Sequence, residues 1–219
     1  RQHAHPPKAD MLSVEQALGK VLALVERLPT KVTSLLDADG QTLAKDVHAP
    51  FDIPALDNSG MDGYAVKAAD LGRASDAYPV LLKVIGQLQA GQMPSLGVQS
   101  GTTIRIMTGA PLPKGADAVV PFELTDESQR LARSEPLDQI SISAQPTVGD
   151  HIRPRAEDVA KGQPVLRAGR VLDPPSLGLL ASFGLPEIEV IKRPQVAVLS
   201  TGDEVQKPGD NSEPGRLFD

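Results

Sequence analysis

The sequence predicts an α+β fold in three parts. Residues 11–47 and 151–192 form a discontinuous mixed domain, residues 48–150 form a mainly-β domain inserted into it, and residues 193–219 form the truncated start of an α/β domain. Three observations predict this. A strongly amphipathic helix pattern lies near the start. Short β-branched or apolar runs, separated by Gly, Pro and Ser clusters, fill the middle. A nearly continuous apolar strand near the end, Gln195–Leu199, runs into the polar loop STGDEVQKPG.

Ser13 reads as a helix N-cap, with Gln16 placed to complete a capping box. Behind it, Val14, Ala17, Leu18, Val21, Leu22, Val25 and Leu28 recur at three- and four-residue steps, which predicts one apolar face ending near Leu28, before Pro29. Such a stripe must be buried against something, in this chain or in a partner. Val32–Leu36 and Leu43–Val47 are candidate strands around the turn Asp37-Ala38-Asp39-Gly40. The segment FDIPALDNSGMDGYAV, Phe51–Val66, is dense in turn residues and predicts a convoluted loop that enters a strand at Tyr64-Ala65-Val66. Strands follow at Val80–Gly86, Thr103–Met107, Ala118–Glu123 and Gln139–Ser143.

Near Val148-Gly149-Asp150 the texture changes to the charged, turn-rich HIRPRAEDVAKGQ. Val165–Leu172 reads as a hairpin-like pair around Ala168-Gly169. Asp173-Pro174 opens a short helix with Leu177, Leu180 and Ala181 on its apolar face, and Gly184 ends it. That region is expected to pack back onto the first helix, which makes the β domain an insertion. A fully apolar strand followed by a polar glycine-containing loop is how an open parallel sheet begins, with ligands beyond the strand's carboxyl end. A doubly wound domain needs several βαβ units of about 30 residues, so residues 193–219 supply only its start.

Composition bounds the function. Aromatics are 3% of the chain and Trp is absent, so the core must be built from Val, Leu, Ile and Ala. Gly (19) and Pro (20) together exceed the usual share of about 12%, in line with many short strands and turns. The formal charge of −6 argues against a nucleic-acid partner. Without cysteine there are no disulfides, Cys-zinc sites or thiol catalysis, which fits a cytoplasmic protein. No apolar run approaches the roughly 18 residues of a membrane span. The polar N-terminus is not a signal peptide, and its His3 and His5 read as a frayed tail rather than a metal site.

Four loops carry residues suited to chemistry. Asp52, Asp57 and Asp62 project carboxylates from a turn-rich segment, which suits Mg²⁺ ligation or general acid/base work, or makes a solvated acidic turn. TGAPLP, Thr108–Pro113, follows a strand and offers the Thr108 hydroxyl and the bare backbone of Gly109, or is a plain turn set by its Gly and Pro residues. In HIRPRAED, Arg153 and Arg155 could clamp an oxyanion, or pair with Glu157 and Asp158 instead. Asp203 and Glu204 follow Gly202 after the last apolar strand, as a metal or phosphate site or a solvated turn. There is no P-loop, dinucleotide GxGxxG, HExxH or GxSxG.

Taken together, FDIPALDNSGMDGYAV, IRIMTGAPLPKGADAVV (Ile104–Val120), HIRPRAEDV (His151–Val159) and the stretch from Arg193 through STGDEVQKPG to Gly215 resemble the molybdopterin molybdenumtransferases, the MoeA and gephyrin E-domain family. The resemblance implies insertion of molybdate into the dithiolene of adenylylated molybdopterin, with release of AMP and Mg²⁺ assistance. It implies an elongated homodimer whose active site forms across the subunits, so that Asp62 and Thr108 face a partner's α/β domain, and it implies molybdopterin adenylyltransferase as the upstream partner. It implies a linker domain (11–47 and 151–192), an inserted β domain (48–150), an α/β molybdopterin-binding domain starting at 193–219, and a C-terminal barrel. On it, Asp62, Thr108, Asp158 and Glu204 are functional residues; Asp62 and Glu204 would meet the metal, and Gly109, Arg153 and Arg155 would meet the substrate. The α/β domain's later loops and the barrel would lie beyond Asp219, so the fragment alone is expected to be inactive. The alternative is a non-catalytic dimerising scaffold or partner-binding module of the gephyrin type, and a tungsten-selective homologue is a third reading.

Overall fold

The computed structural model describes residues 12–219; His3 and His5 lie outside them. In chain order the elements are α1 (Val14–Leu22), β1 (Thr30–Ser34), β2 (Thr42–Leu43), β3 (Val47–His48), β4 (Asn58–Ser59), β5 (Gly63–Val66), β6 (Val80–Leu88), β7 (Thr102–Ile106) and β8 (Ala118–Pro121). They continue with α2 (Glu127–Ala132), β9 (Gln139–Ile142), β10 (Ile152–Arg153), β11 (Pro164–Leu166), α3 (Pro174–Ser182), β12 (Glu187–Ile191), β13 (Val205–Gln206) and β14 (Leu217–Phe218). The fold is mixed α/β. Contacts divide the chain into two units: Asp46–Arg167, and Ala168–Asp219 together with the described residues up to Lys45. Residues 151–167, assigned from sequence to the discontinuous domain, thus group with the strands of 46–167.

The unit Asp46–Arg167 is built on a five-stranded sheet of order β8-β5-β7-β6-β9, antiparallel except for the parallel pair β6–β7. Successive side chains on a strand point to opposite faces. Tyr64, Val66 and Val120 accordingly pack with Leu71, Leu82, Ile140 and Ile142 in one cluster, while Ala65 and Val119 pack with Leu88, Val98, Ile104 and Ile106 in another. With both faces covered, β5 and β8 are buried along their whole length. The Oγ1 of buried Thr103 donates to the carbonyl of Ala65 at 2.7 Å, so this polar group does not interrupt the sheet's interior. Gly63 is fixed by close approach: a Cβ there would sit 2.0 Å from the Val120 carbonyl oxygen. The helix α2 has no periodic signature in the sequence, because six residues with two apolar side chains carry too little period.

In the other unit, β12 lies between β1 and β2, antiparallel to both. The helix α3 begins as its sequence predicts. Asp173 caps it, accepting the Ser176 amide at 2.9 Å and the Ser176 hydroxyl, and Pro occupies the first turn. Leu172 and Leu180 anchor this region in the core, and α3 packs on the 3-10 turn Leu35–Asp37.

Four sequence expectations are corrected. The predicted capping box of α1 is present, with Ser13 and Gln16 exchanging bonds of 3.0 and 3.1 Å. The helix stops at Leu22 rather than near Leu28, however, with its last turn tightened by Leu24 and Val25 amides bonding three residues back. None of its residues is buried, so no packing among the described residues rewards further propagation. Leu43–Val47 is two strands, β2 and β3, which pair with β12 and β11 respectively. Val165–Leu172 is not a hairpin: β11 pairs with β3, while Gly169 and Leu172 donate to the carbonyls of Leu43 and Gln41. Gln195–Leu199 forms no ladder, since no described strand lies against it to pair its backbone. Among the described residues, no helix is long and apolar enough to cross a membrane.

Two outcomes follow. Gly63→Ala forces a Cβ into the β8 backbone and is expected to cost about 3 kcal/mol or more, read as a lowered urea midpoint. Hydrogen bonds from the Ser176 hydroxyl and amide hold the Asp173 carboxyl below its usual value. A depressed folded value stabilises at pH above the unfolded one, about 3.9, and is lost as pH falls through the lower folded value. Urea titrations of the wild type and Asp173→Asn should therefore differ most at neutral pH and draw together as pH falls below the unfolded value of about 3.9.

Candidate functional site

Three of the four motif loops meet in the unit Asp46–Arg167, and β4 is the piece that joins them. On one side, the Ser59 amide donates to the Ala110 carbonyl at 3.0 Å and the Gly109 amide donates to the Ser59 carbonyl at 2.8 Å. The Leu112 amide donates to the Asp57 carbonyl at 2.9 Å. On the other side, β4 pairs with β10, placing Ser59 opposite Ile152 and Asn58 opposite Arg153. The Gly60 amide continues that contact to the His151 carbonyl at 2.8 Å. The Asp57 side chain receives the Arg155 amide at 2.7 Å. Two residues of extended backbone thus hold segments about 50 and 95 positions away against one another.

Asp62 and Thr108 are in direct contact. Asp62 Oδ1 accepts both the backbone N–H and the hydroxyl of Thr108, each at 2.7 Å. These two bonds, amide first, hold the Asp62 carboxyl below its usual range, and the Arg105 charge adds to them. Asp62 is therefore ionised at neutral pH. Its Oδ2 accepts nothing from the described residues and remains an open acceptor at a half-buried position. Gly109 follows with φ +81°, a left-handed conformation that glycine supplies without strain, and it lets the loop fold back onto β4.

The two arginines of HIRPRAED are engaged with carboxylates. Arg153 donates to Glu157 and Asp158, each at 2.9 Å, so the neighbour-pairing alternative holds for it. Arg155 pairs instead with Asp52, which also accepts the Lys161 amide at 2.6 Å. The Lys161 amide and the Arg155 side chain hold Asp52 low, so it is an anchor for the 151–161 loop. Asp158 is half-exposed and bound to Arg153. Glu204 belongs to the other unit, where it is exposed at the entry to β13 and its carbonyl accepts the Leu217 amide at 2.7 Å. Among the described residues, no three His, Asp or Glu side chains are grouped to hold a metal ion.

A cluster that no sequence motif marks lies next to this pair. Arg105 on β7 and Tyr64 on β5 face each other in register, and both bind the buried Glu127 carboxylate of α2. A charged residue between Ile104 and Ile106 was the one available signal, because Glu127 has no motif around it.

Residues 12–184 match the family model of the MoeA N-terminal region, domains I and II. The chain is 41% identical over 209 residues to molybdopterin molybdenumtransferase 2 of Mycobacterium tuberculosis, covering 95% of this chain and 50% of that protein. It is 33% identical over 210 residues to the molybdopterin molybdenumtransferase of Staphylococcus aureus, covering 96% of this chain and 48% of that one. A crystal structure of the molybdopterin biosynthesis MoeA protein from Pyrococcus horikoshii superposes with TM-score 0.82 at 33% identity, covering 96% of this chain and 52% of that chain. The chain spans about half the length of the curated relatives it matches. With the model match running across three convergent loops, this chain belongs to the MoeA N-terminal-region family.

Proposed function

We propose that this chain is the N-terminal portion of a molybdopterin molybdenumtransferase, which inserts molybdate into adenylylated molybdopterin and releases AMP. The observation that carries the reading is the Asp62–Thr108 pair, fixed where three motif loops meet. The names of the 41% and 33% identical relatives support it. In the finer division, 46–167 corresponds to the inserted β domain, the flanking segments to the linker domain, and residues 193–219 to the start of an α/β domain.

In this proposal Asp62 presents its open Oδ2 to a divalent cation. Mg²⁺ is usually held by only one or two carboxylates, completed by water and substrate phosphate oxygens, and one fixed carboxylate oxygen fits that donor set. The ion, when bound, neutralises negative charge on phosphate oxygens as the phosphoanhydride is cleaved. Thr108 keeps Asp62 aimed and lowers its carboxyl pKa further, and Gly109 leaves the backbone open to a close ligand. Asp158, with Arg153 and Arg155, shapes the neighbouring loop. Glu204 enters on the motif match alone. A cysteine-free chain suits a reducing compartment, and a cytoplasmic setting is part of the proposal, with molybdopterin adenylyltransferase as upstream partner.

A homodimer is supported by α1. Its apolar residues Val14, Leu18, Val21 and Leu22 are all more than half exposed, a stripe left uncovered among the described residues. The same stripe favours a second reading, a dimerising or partner-binding scaffold without catalysis.

Asp62→Asn in the full-length protein is expected to lower AMP release from adenylylated molybdopterin and molybdate by roughly 10²-fold. Wild-type turnover would remove Asp62 from the site. Light scattering on the 219-residue chain is expected to give a dimer, and Leu18→Glu with Val21→Glu a monomer. A monomeric wild type would sink the dimer.

A further inference from the structure

The geometry points to Tyr64, Glu127 and Arg105 as a buried positioning triad that sets the Asp62–Thr108 contact. The inference rests on reading Asp62 and Thr108 as functional residues. Tyr64 lies two residues after Asp62, and Arg105 three residues before Thr108. They are direct partners in the β5–β7 ladder. The Tyr64 hydroxyl donates to Glu127 Oε2 at 2.5 Å. Arg105 donates to the same carboxylate in fork geometry, Nη2 to Oε1 at 2.7 Å and Nε to both oxygens at 3.1 Å. One carboxylate therefore grips both strands from a third element, directly before one strand delivers Thr108 and directly after the other receives Asp62.

The triad also reaches the exit of β7. Arg105 Nη1 contacts the Met107 sulfur at 2.8 Å, and Met107 is the residue before Thr108. The Met107 amide donates to the Leu88 carbonyl at 3.0 Å, and the Phe122 amide donates to the Asp62 carbonyl at 3.2 Å. Backbone on both sides of the pair is thus tied down, while Glu127 fixes how far β5 and β7 can slide. The Glu127 and Arg105 side chains are only 4% and 19% exposed. Taking such a pair out of water is costly, and apolar replacements of similar size are often neutral or stabilising. Fold stability alone does not call for these residues at this place. What apolar packing lacks is directional bonding, which fixes strand register and exit geometry to a fraction of an ångström.

The test separates positioning from stability. In the ¹⁵N-labelled 219-residue chain, the Thr108 amide reports its bond to Asp62 through a downfield proton shift and slow hydrogen exchange. The combined variant Tyr64→Phe, Arg105→Met, Glu127→Leu is expected to keep the wild-type urea midpoint. Its Thr108 amide should move upfield and exchange about 10-fold or more faster relative to amides of the β5–β7 ladder. If Thr108 and the ladder amides accelerate by the same factor, or neither changes, the triad is ordinary structure and the inference falls. If the combined variant does not fold, Tyr64→Phe alone is read by the same ratio. Neither result depends on turnover, so loss of the positioning role would leave the Asp62→Asn activity test standing, and the reverse also holds.

Discussion

The arrangement depends on two residues of extended backbone. Asn58 and Ser59 lie between the 109–111 turn and β10, bonded to both. A turn-rich segment such as 51–63 has no internal ladder to satisfy its amides and carbonyls, so it must find partners elsewhere or leave them unpaired at a cost of about 1–3 kcal/mol each. Here it finds them in two other loops, and that requirement brings the three motifs together. The Ser59 side chain serves the same end, donating to the Met61 carbonyl at 2.5 Å and curling the backbone toward Asp62. The neighbouring sheet then fixes the direction, because β5 starts at Gly63, where only a glycine fits under the Val120 carbonyl.

Charge in this region is spent locally before any ligand arrives. Arg153 is committed to Glu157 and Asp158, Arg155 to Asp52, and Arg105 to Glu127. These pairs rigidify loops, and they engage the guanidinium groups of Arg105, Arg153 and Arg155 with carboxylates. Exposed pairs such as Arg153 with Asp158 are weak and screened by salt, so a phosphate could compete for that guanidinium. The buried Arg105–Glu127 pair is different, because separating it would strand a charge in the interior.

Much of this was legible in the sequence, for identifiable reasons. The Ser13–Gln16 capping box and the Asp173-Pro174 helix start depend on side chains within three residues, and both are present. The strands β5, β6, β7, β8 and β9 were readable from β-branched and apolar runs between turns. Elements defined by distant partners were not. The short run EIEVI of β12 has a strand's alternation, but nothing local in it tells that β1 and β2 pair with it from both sides. The apolar repeat of α1 continued to Leu28 on paper, but a helix with no buried residue has only its caps and propensity to sustain it. At the site, Asp62 and Thr108 stand out in two separate loops only through the family resemblance. Their contact was not legible, since it rests on the β5–β7 register.

That contact limits what the site can do. An ionised carboxylate is acceptor-only, and Asp62 has one oxygen filled by two donors from Thr108. The remaining oxygen cannot bind a phosphate or an oxyanion directly, because both are acceptors and both are negative. It can receive a cation or a donor proton. The bonds from Thr108 also lower the basicity of the carboxylate, which weakens it as a proton acceptor near neutrality and leaves its charge intact for a metal. A general base would need the opposite environment, a carboxyl pushed upward by burial. Fixed, ionised and half-buried, Asp62 is better suited to electrostatic work on a neighbouring cation than to proton transfer, and the two Thr108 donors are the cause.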